Sequence, residues 1–508
     1  MALSLFNTLG REIQPFVPIT AGKAGFYGCG PTVYNYAHIG NLRAYVLHDL
    51  LVRTLRRQGL TVTHVMNITD VGHLSGDNDD GDDKMVRSAG ERGKSVLEVA
   101  DFYTQAFFRD TERMNIIRPT VVCKATEHIG DMIELIKKIE AGGFTYSAGG
   151  NLYYDVGKFP HYGDLALLRL GEQRSRTGAD ENKRNPQDFV LWFTRSKFEN
   201  QALVWDSPWG KGYPGWHIEC SAMSIKYLGE QFDIHAGGID HIPIHHTNEI
   251  AQSEAATGKH PWVKYWVHNE FLVLDREKMS KSSGSFLTLQ TLIDSGYDAL
   301  DYRYFLLGGH YRSQLQFSYE ALDGARNARK SLREKLRVLT GKVDDAALQA
   351  ILRTAALPVA GDSAAETAIL PKPVTGGKAG TYIEAFNKAL DDDLSSPRAL
   401  AELWGLLRDT EIAPGDALAA ALDMDRVLGL GIAEAVTEAS AKAGTKQAGG
   451  PGGEADQGLA QEIEALIAER TAAKKVKDFA KADGIRNSLK EQGIILEDSP
   501  AGTVWRRT

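Results

Sequence analysis

The sequence predicts an α/β fold: a parallel-sheet domain interrupted by an α/β insertion, then a helical bundle, then a small C-terminal α+β unit. Three observations predict it. A strand–turn–helix–strand run stands near the start, sheet-like patterning returns after about residue 205, and helical periodicity takes over after about residue 315. A chain of 508 residues exceeds what one core accommodates and points to two to four domains.

Element by element, the opening LFNTLGREIQPF reads as a first strand, without the basic start and apolar run of a secretory leader. GFYGCG reads as a short strand entering a glycine turn. Leu42, Val46, Leu50, Leu51 and Leu55 then recur at helical spacing until Gly59 stops the helix, and TVTHVMNI is the next strand. This is a right-handed βαβ unit of a parallel sheet, whose strand-to-helix turn is the place where such sheets take ligands. DNDDGDD, residues 77–83, lacks calcium-loop spacing and reads as a solvated acidic loop. A helix from Ser95 to Met114 follows, and the sheet domain pauses at residue 117. Residues 118–205, with turns such as SAGGN and KRNPQD, form the insertion.

The sheet domain resumes over 206–270 with WHIECSAMSIKYL (helix), FDIHAGG (strand and turn), IHHTNEIAQSEAATG (helix) and YWVHNEFLVLD (strand). A connecting region spans 271–320 and a helical bundle 321–435, with an Ala/Gly/Pro-rich flexible connection at 356–380. Residues 436–458 read as a linker by composition. The last unit, 459–508, has a Lys-rich helical part (Lys474, Lys475, Lys477, Lys481) and a hairpin, IILEDSPAGTVWRR.

Composition excludes several classes. No window approaches the ~18 apolar residues of a membrane span. With 43% hydrophobic and 24% charged residues the chain is an ordinary soluble one. Three cysteines, Cys29, Cys123 and Cys220, exclude a disulfide scaffold and fit a reducing cytoplasm; Cys123 is most simply a buried thiol. The net charge of −8 leaves any nucleic-acid contact to local basic patches.

Three clusters carry chemistry. HIGN, residues 38–41, sits where strand turns into helix, so backbone N–H groups and the positive helix end face an anion. His38 adds a donor there, and Gly40 admits a nucleotide close to the backbone. DREKMSKSSGS, residues 275–285, follows a strand and offers Lys278 and Lys281 to a leaving pyrophosphate. Cys29 and Cys220 with His245 and Glu249, four apart on one helix face, make a plausible zinc set. Spacing leaves His246, His217 and His241 open as alternatives.

HIGN and KMSKS at two strand ends resemble the paired motifs of class I aminoacyl-tRNA synthetases. YGCGPTVYNYAHIGN, KRNPQDFVLW, SPWGKGYPGWHIECSAM, HHTNEIAQSEA, LDREKMSKS, DDDLSSPRAL and the terminal GTVWRR extend the likeness: the chain resembles the cysteinyl-tRNA synthetases nearly end to end. The resemblance implies a Rossmann-like catalytic domain and a C-terminal tRNA-binding unit. It implies one Zn²⁺ on Cys29, Cys220, His245 and Glu249, thereby choosing between the adjacent histidines. It places Thr69, Trp216 and His235 in the amino-acid pocket and Asp240 on the nucleotide side. ATP phosphates, with Mg²⁺, fall to His38, Gly40, Asn41, Lys278 and Lys281.

The implied reaction is activation of L-cysteine to cysteinyl-adenylate and its transfer to the 3′ adenosine of tRNA(Cys). Trp505, Arg506 and Arg507 would stack on and neutralise anticodon nucleotides. A thiolate joins zinc far more readily than serine's hydroxyl does, so no editing domain is expected. A cytoplasmic monomer without membrane attachment is expected. Three departures stand out: Asn41 replaces a usual histidine, the 77–83 loop looks inserted, and HIPI precedes the paired histidines. A cysteine:amine-sugar ligase would share both motifs and the zinc set but lack the 459–508 unit. A non-catalytic paralogue is opposed by intact His38, Lys278 and Lys281.

Overall fold

A computed structural model describes residues 3–71, 88, 94–167, 181–195, 203–274, 287–355, 377–448, 454–475, 478–499 and 502–507. The chain divides into two compact units, Met1–Thr437 and Glu438–Thr508.

An all-parallel sheet of five strands organises the first unit. Across the sheet the strands run Val263–Asn269, Phe232–Gly238, Lys23–Gly28, Thr61–Ile68 and Val121–Lys124. The inner strands are buried along almost their whole length, as expected where helices cover both faces. On one face the Ile39–Arg57 helix buries the predicted stripe of Leu42, Val46, Leu50, Leu51 and Leu55 against Phe26 and Ile234. Each such side chain stabilises the fold by roughly 2 kcal/mol. On the other face the Ile129–Ala141 and Trp216–Leu228 helices pack Met132, Ile136 and Met223 against Tyr27 and Val65.

The first sheet strand in sequence, Lys23–Gly28, lies at the centre. The chain winds outward from it in one direction to Val121–Lys124 and later in the other to Val263–Asn269. The order therefore reverses between Lys23–Gly28 and Phe232–Gly238, and a crevice opens at their carboxyl ends.

Several elements differ from the sequence reading. LFNTLGREIQPF is an antiparallel hairpin, Ser4–Asn7 with Glu12–Pro15, outside the parallel sheet; Arg11 takes a left-handed φ of 56° at its turn. The edge strand Val121–Lys124 lies just past the boundary drawn at residue 117. YWVHNEFLVLD is two strands, because Leu272–Leu274 leaves the main sheet to pair in parallel with Leu315–Phe317. Residues 436–458 are not all linker: the Ile432–Ala448 helix runs well into them, since their alanines, glutamates and lysines favour helix.

The insertion carries an antiparallel sheet ordered Thr145–Ala148, Asn151–Tyr154, Phe189–Phe193, Tyr213–Pro214. The helices Tyr319–Thr340, Gly377–Asp391, Ser396–Arg408 and Pro414–Leu428 bury Leu332, Phe386, Leu403 and Leu418 together. In the second unit two helices, Glu454–Lys475 and Phe479–Glu491, and the predicted hairpin, Ile494–Ser499 with Gly502–Arg507, gather around Ile463, Ile467, Leu489 and Leu496. No helix among the described residues is long and apolar enough to cross a membrane.

The glycines bracketing Cys29 are steric requirements. A Cβ on Gly30 would stand 1.7 Å from the Asn67 carbonyl oxygen, and one on Gly28 would stand 2.8 Å from His48 Nδ1. Gly30→Ala must push two central strand ends apart. The expected cost is about 3 kcal/mol, read as a lower midpoint in urea unfolding.

Candidate active site

The crevice is a cleft of about 640 Å³ built from the carboxyl ends of four parallel strands. Cys29 and Gly30 follow Lys23–Gly28, and Asn67 and Thr69 close Thr61–Ile68. Gly237, Gly238 and Asp240 end Phe232–Gly238, and Asn269, Glu270 and Phe271 end Val263–Asn269. The fifth wall is the start of the Ile39–Arg57 helix, with His38, Gly40 and Asn41.

Cys29, Cys220, His245 and Glu249 meet at the floor, with one donor atom from each lying within 4.8 Å of the others. All four are buried. Cys29 comes from the strand end and Cys220 from the Trp216–Leu228 helix. His245 and Glu249 are not on one α-helix as the sequence suggests. His245 lies near the end of a π-turn, Ile242–His246, and Glu249 lies in the first turn of the Thr247–Thr257 helix. Pro243 in HIPI starts this wider turn, a distortion that favours functional sites.

The four groups shift one another's ionisation strongly. Burial, reinforced by Cys220, holds the Cys29 thiol well above its usual range. Its hydrogen bond with Cys29 outweighs burial and brings Cys220 down to about 7. Burial would lower His245, but Glu249 and Cys220 overcome it and raise the imidazole to about 10. Burial likewise opposes ionisation of Glu249, yet His235 and His245 hold it at about 2. The shifts favour charge on Cys220, His245 and Glu249 together, in a buried cluster at the cleft floor. Glu249 Oε1 is buried without a hydrogen bond, although His245 Nε2 lies 3.0 Å away out of line. An unsatisfied carboxylate oxygen beside two sulfurs and an imidazole fits a divalent metal of zinc's softness.

Cys29 and Glu249 also approach within the same limit of His235 and His246. His235, 0% exposed, shares a 2.9 Å hydrogen bond with Glu249 Oε2 and stacks on Trp266. It is not among the residues that line the cleft. His246 Nε2 stands 3.3 Å from Cys29 Sγ, and its Nδ1 bonds His268, which bonds Thr8. These partners orient the donors from below.

Thr69 and Trp216 line the cleft. Trp216 lies over His245 with ring centroids 4.6 Å apart. Three hydrogen bonds fix Thr69, of which sequence reasoning saw nothing: Gly30 N donates to Asn67 Oδ1, Asn67 Nδ2 to Thr69 Oγ1, and Thr69 Oγ1 to Glu219 Oε2, at 2.8, 3.0 and 3.1 Å. The only available signal was the position of NIT at a strand end.

HIGN forms a capping box. Gly40 N donates to His38 Nδ1, and His38 N donates to Asn41 Oδ1, each at 3.0 Å. Asn41 N and Leu42 N bond His38 O, and Ile39 N bonds Leu287 O. The first-turn amides are consequently occupied, contrary to the expectation that they stand open to an anion. What the cap leaves is a tautomer. With Nδ1 accepting, neutral His38 carries its proton on Nε2, and burial lowers its pKa from the usual value and keeps it neutral. Asn41 supplies the reciprocal cap, which explains how asparagine serves at this position.

Lys278 and Lys281 lie outside the described residues, as does the 77–83 loop. Trp505, Arg506 and Arg507 lie on the Gly502–Arg507 strand, with their side chains outside the description. Cys123 is buried in the edge strand, its Sγ donating to Met66 O at 3.5 Å.

Residues 15–327 match the family model for the tRNA synthetases class I (C) catalytic domain, and residues 456–506 that for the cysteinyl-tRNA ligase anticodon binding domain. The chain is 57% identical over 510 residues to the cysteine–tRNA ligase of Treponema denticola, covering 100% of both. It is 44% identical to cysteine–tRNA ligase 1 of Burkholderia lata, covering 99% of this chain and 96% of that one. Among solved structures, the ternary complex of Agrobacterium radiobacter LeuRS with tRNA and LeuAMS superposes with a TM-score of 0.54 at 10% identity, over 84% of this chain and 86% of that one. Mycobacterium tuberculosis methionyl-tRNA synthetase bound by methionyl-adenylate gives 0.51 at 15%, over 82% and 91%. These two structures share the fold.

Proposed function

Because the chain belongs to the cysteine–tRNA ligase family, and is thus an ATP-dependent ligase that joins cysteine to tRNA(Cys), we propose that Cys29, Cys220, His245 and Glu249 hold the zinc ion that selects the amino acid. Bound there, zinc supplies a soft Lewis acid that accepts a thiolate and discriminates against a hydroxyl. The supporting observation is the buried four-donor floor beneath a cleft that also carries HIGN.

The chain's own residues do the rest. Thr69 donates its proton to Glu219 and accepts one from Asn67, which leaves a lone pair for the substrate's ammonium group. Trp216 closes the side of the amino-acid pocket over His245. His38 Nε2–H, at the helix N-terminus, donates to the α-phosphate as the cysteine carboxylate attacks it. Lys278 and Lys281 balance the charge growing on the departing pyrophosphate, which leaves with Mg²⁺. Asp240 serves the nucleotide side. No side chain acts as a nucleophile; positioning and charge stabilisation carry the rate. The setting is the cytoplasm.

Cysteine-dependent ATP–pyrophosphate exchange tests this reading, run with and without a zinc chelator and followed by tRNA charging. Exchange abolished by chelation and restored by zinc is expected. Exchange without charging would instead favour an amine ligase.

The 456–506 unit reads the anticodon in this proposal, with Trp505 stacking on a base and Arg506 and Arg507 neutralising phosphates. Trp505→Ala should lower kcat/KM for tRNA about 10-fold, one lost stacking contact, while pyrophosphate exchange stays unchanged.

A further inference from the structure

Arg43 sits in the first turns of the Ile39–Arg57 helix, two residues after HIGN, and is 4% exposed. Its guanidinium donates to four main-chain carbonyls. Nη1 reaches Phe271 O at 2.6 Å, and Nη2 reaches His310 O at 3.1 Å, Tyr311 O at 3.4 Å and Ser313 O at 2.5 Å. These carbonyls belong to two segments already joined to each other, since Glu270 N donates to Tyr311 O and Leu315 N to Phe271 O.

The same helix turn grips the chain further on. Ile39 N donates to Leu287 O at 2.8 Å, His38 bridges Thr288, and Tyr302 Oη donates to Ile39 O at 2.8 Å. Phe271 and Leu287 lie on either side of residues 275–286. The start of one helix is thus bonded to the chain before and after the second motif. The two walls lie close: a Cβ added to Gly40 would come into contact with Leu272 Cβ, at 3.9 Å.

Burying this cation is costly even with the Glu270 carboxylate nearby, and an apolar side chain in its place would leave the four carbonyls without their donor. The fork of the guanidinium, however, fixes several carbonyls at once in a way that no apolar contact can. Resting on the proposed roles of HIGN and the cleft, we infer that Arg43 is a positioning residue for adenylate formation. It sets the 269–272 wall at the separation from His38 and Gly40 that ATP requires. The four-donor floor is built from the end of the Lys23–Gly28 strand, the Trp216–Leu228 helix, the Ile242–His246 turn and the Thr247–Thr257 helix, and the four carbonyls that Arg43 bonds lie on none of them. Its loss should therefore separate ATP from cysteine.

The test is steady-state pyrophosphate exchange of the full chain carrying Arg43→Met or Arg43→Lys, with zinc content and melting temperature measured alongside. For Arg43→Met, kcat/KM for ATP should fall about 100-fold, the effect of a wall misplaced by an ångström or so. KM for cysteine and zinc per chain should stay within about twofold of wild type. Arg43→Lys keeps the charge but bonds fewer carbonyls, and should recover about 10-fold of that loss. If Arg43→Met does not fold, Arg43→Lys carries the test, with an ATP-specific loss of about 10-fold. Equal losses for ATP and cysteine, or a lowered melting temperature with unchanged kinetics, would overturn the inference. Absence of cysteine-dependent exchange in the wild-type chain would instead overturn the reading on which it rests.

Discussion

Cys220→Ser should fold but retain no stoichiometric zinc, and its cysteine-dependent exchange should fall at least about 1,000-fold, some 4 kcal/mol of lost transition-state binding. The reason lies in the floor. Cys220 is the one member of the set already near thiolate at neutral pH, at about 7, and a serine hydroxyl there neither ionises nor suits a soft metal. Cys29→Ser should act similarly. Cys123→Ala provides the control: its thiol donates to the Met66 carbonyl and is not one of the four donors, so the variant should keep both zinc and exchange. The histidines decide the donor set. His245→Ala should strip zinc, whereas His246→Ala should weaken its hold about 10- to 100-fold as loss of a supporting partner. The reverse outcome would assign the ion to Cys29, His235, His246 and Glu249, which the geometry also brings together.

The sequence exposes those parts of the site that local periodicity or a long motif displays. The leucine stripe from Leu42 to Leu55 defines one sheet-covering helix, and the hairpin at the C-terminus follows from IILEDSPAGTVWRR. Cys29 and Cys220 were legible as members of a plausible zinc set, but only resemblance chose between the adjacent histidines. What unites the two cysteines is the pairing of Lys23–Gly28 with Phe232–Gly238, a contact between distant segments. The π-turn at Ile242–His246 was invisible, because a wider turn leaves no periodic trace over five residues. Arg43, Asn67 and Glu219 escaped for another reason. Each is a polar residue that composition assigns to the surface, and each is buried because its partners arrive from elsewhere in the chain. The 436–458 stretch shows the opposite failure: small residues suggested a linker where alanine's helix propensity prevailed through Ala448.

Arg303→Met should destabilise the Met1–Thr437 unit by about 3–5 kcal/mol, the cost of breaking a buried ionic network from one side. Arg303 is 0% exposed and donates to Asp49 Oδ2 at 2.5 Å, Leu428 O at 2.6 Å, Met114 O at 3.0 Å and Asn115 O at 3.2 Å. Arg53 runs beside it, donating to the same Asp49 oxygen and to Arg426 O and Asn115 O. Two helices, Val96–Arg113 and Pro414–Leu428, end at this point, and their last carbonyls have no partners within their own helices. One guanidinium therefore caps two negative helix ends and ties both to Asp49 on the helix that begins with HIGN. Methionine fills the volume but leaves those carbonyls buried and unbonded. Asp49→Asn should cost a similar amount, by removing the carboxylate that both buried arginines hydrogen-bond and leaving only the nearby Asp425 to offset their charge. The double variant should cost less than the two single losses combined, because the second change removes a charge that the first had already stranded. Urea unfolding with an unchanged m-value measures all three. Strict additivity would mean that Arg303 acts through its carbonyl bonds alone and that the ion pair contributes nothing to the joint between sheet and bundle.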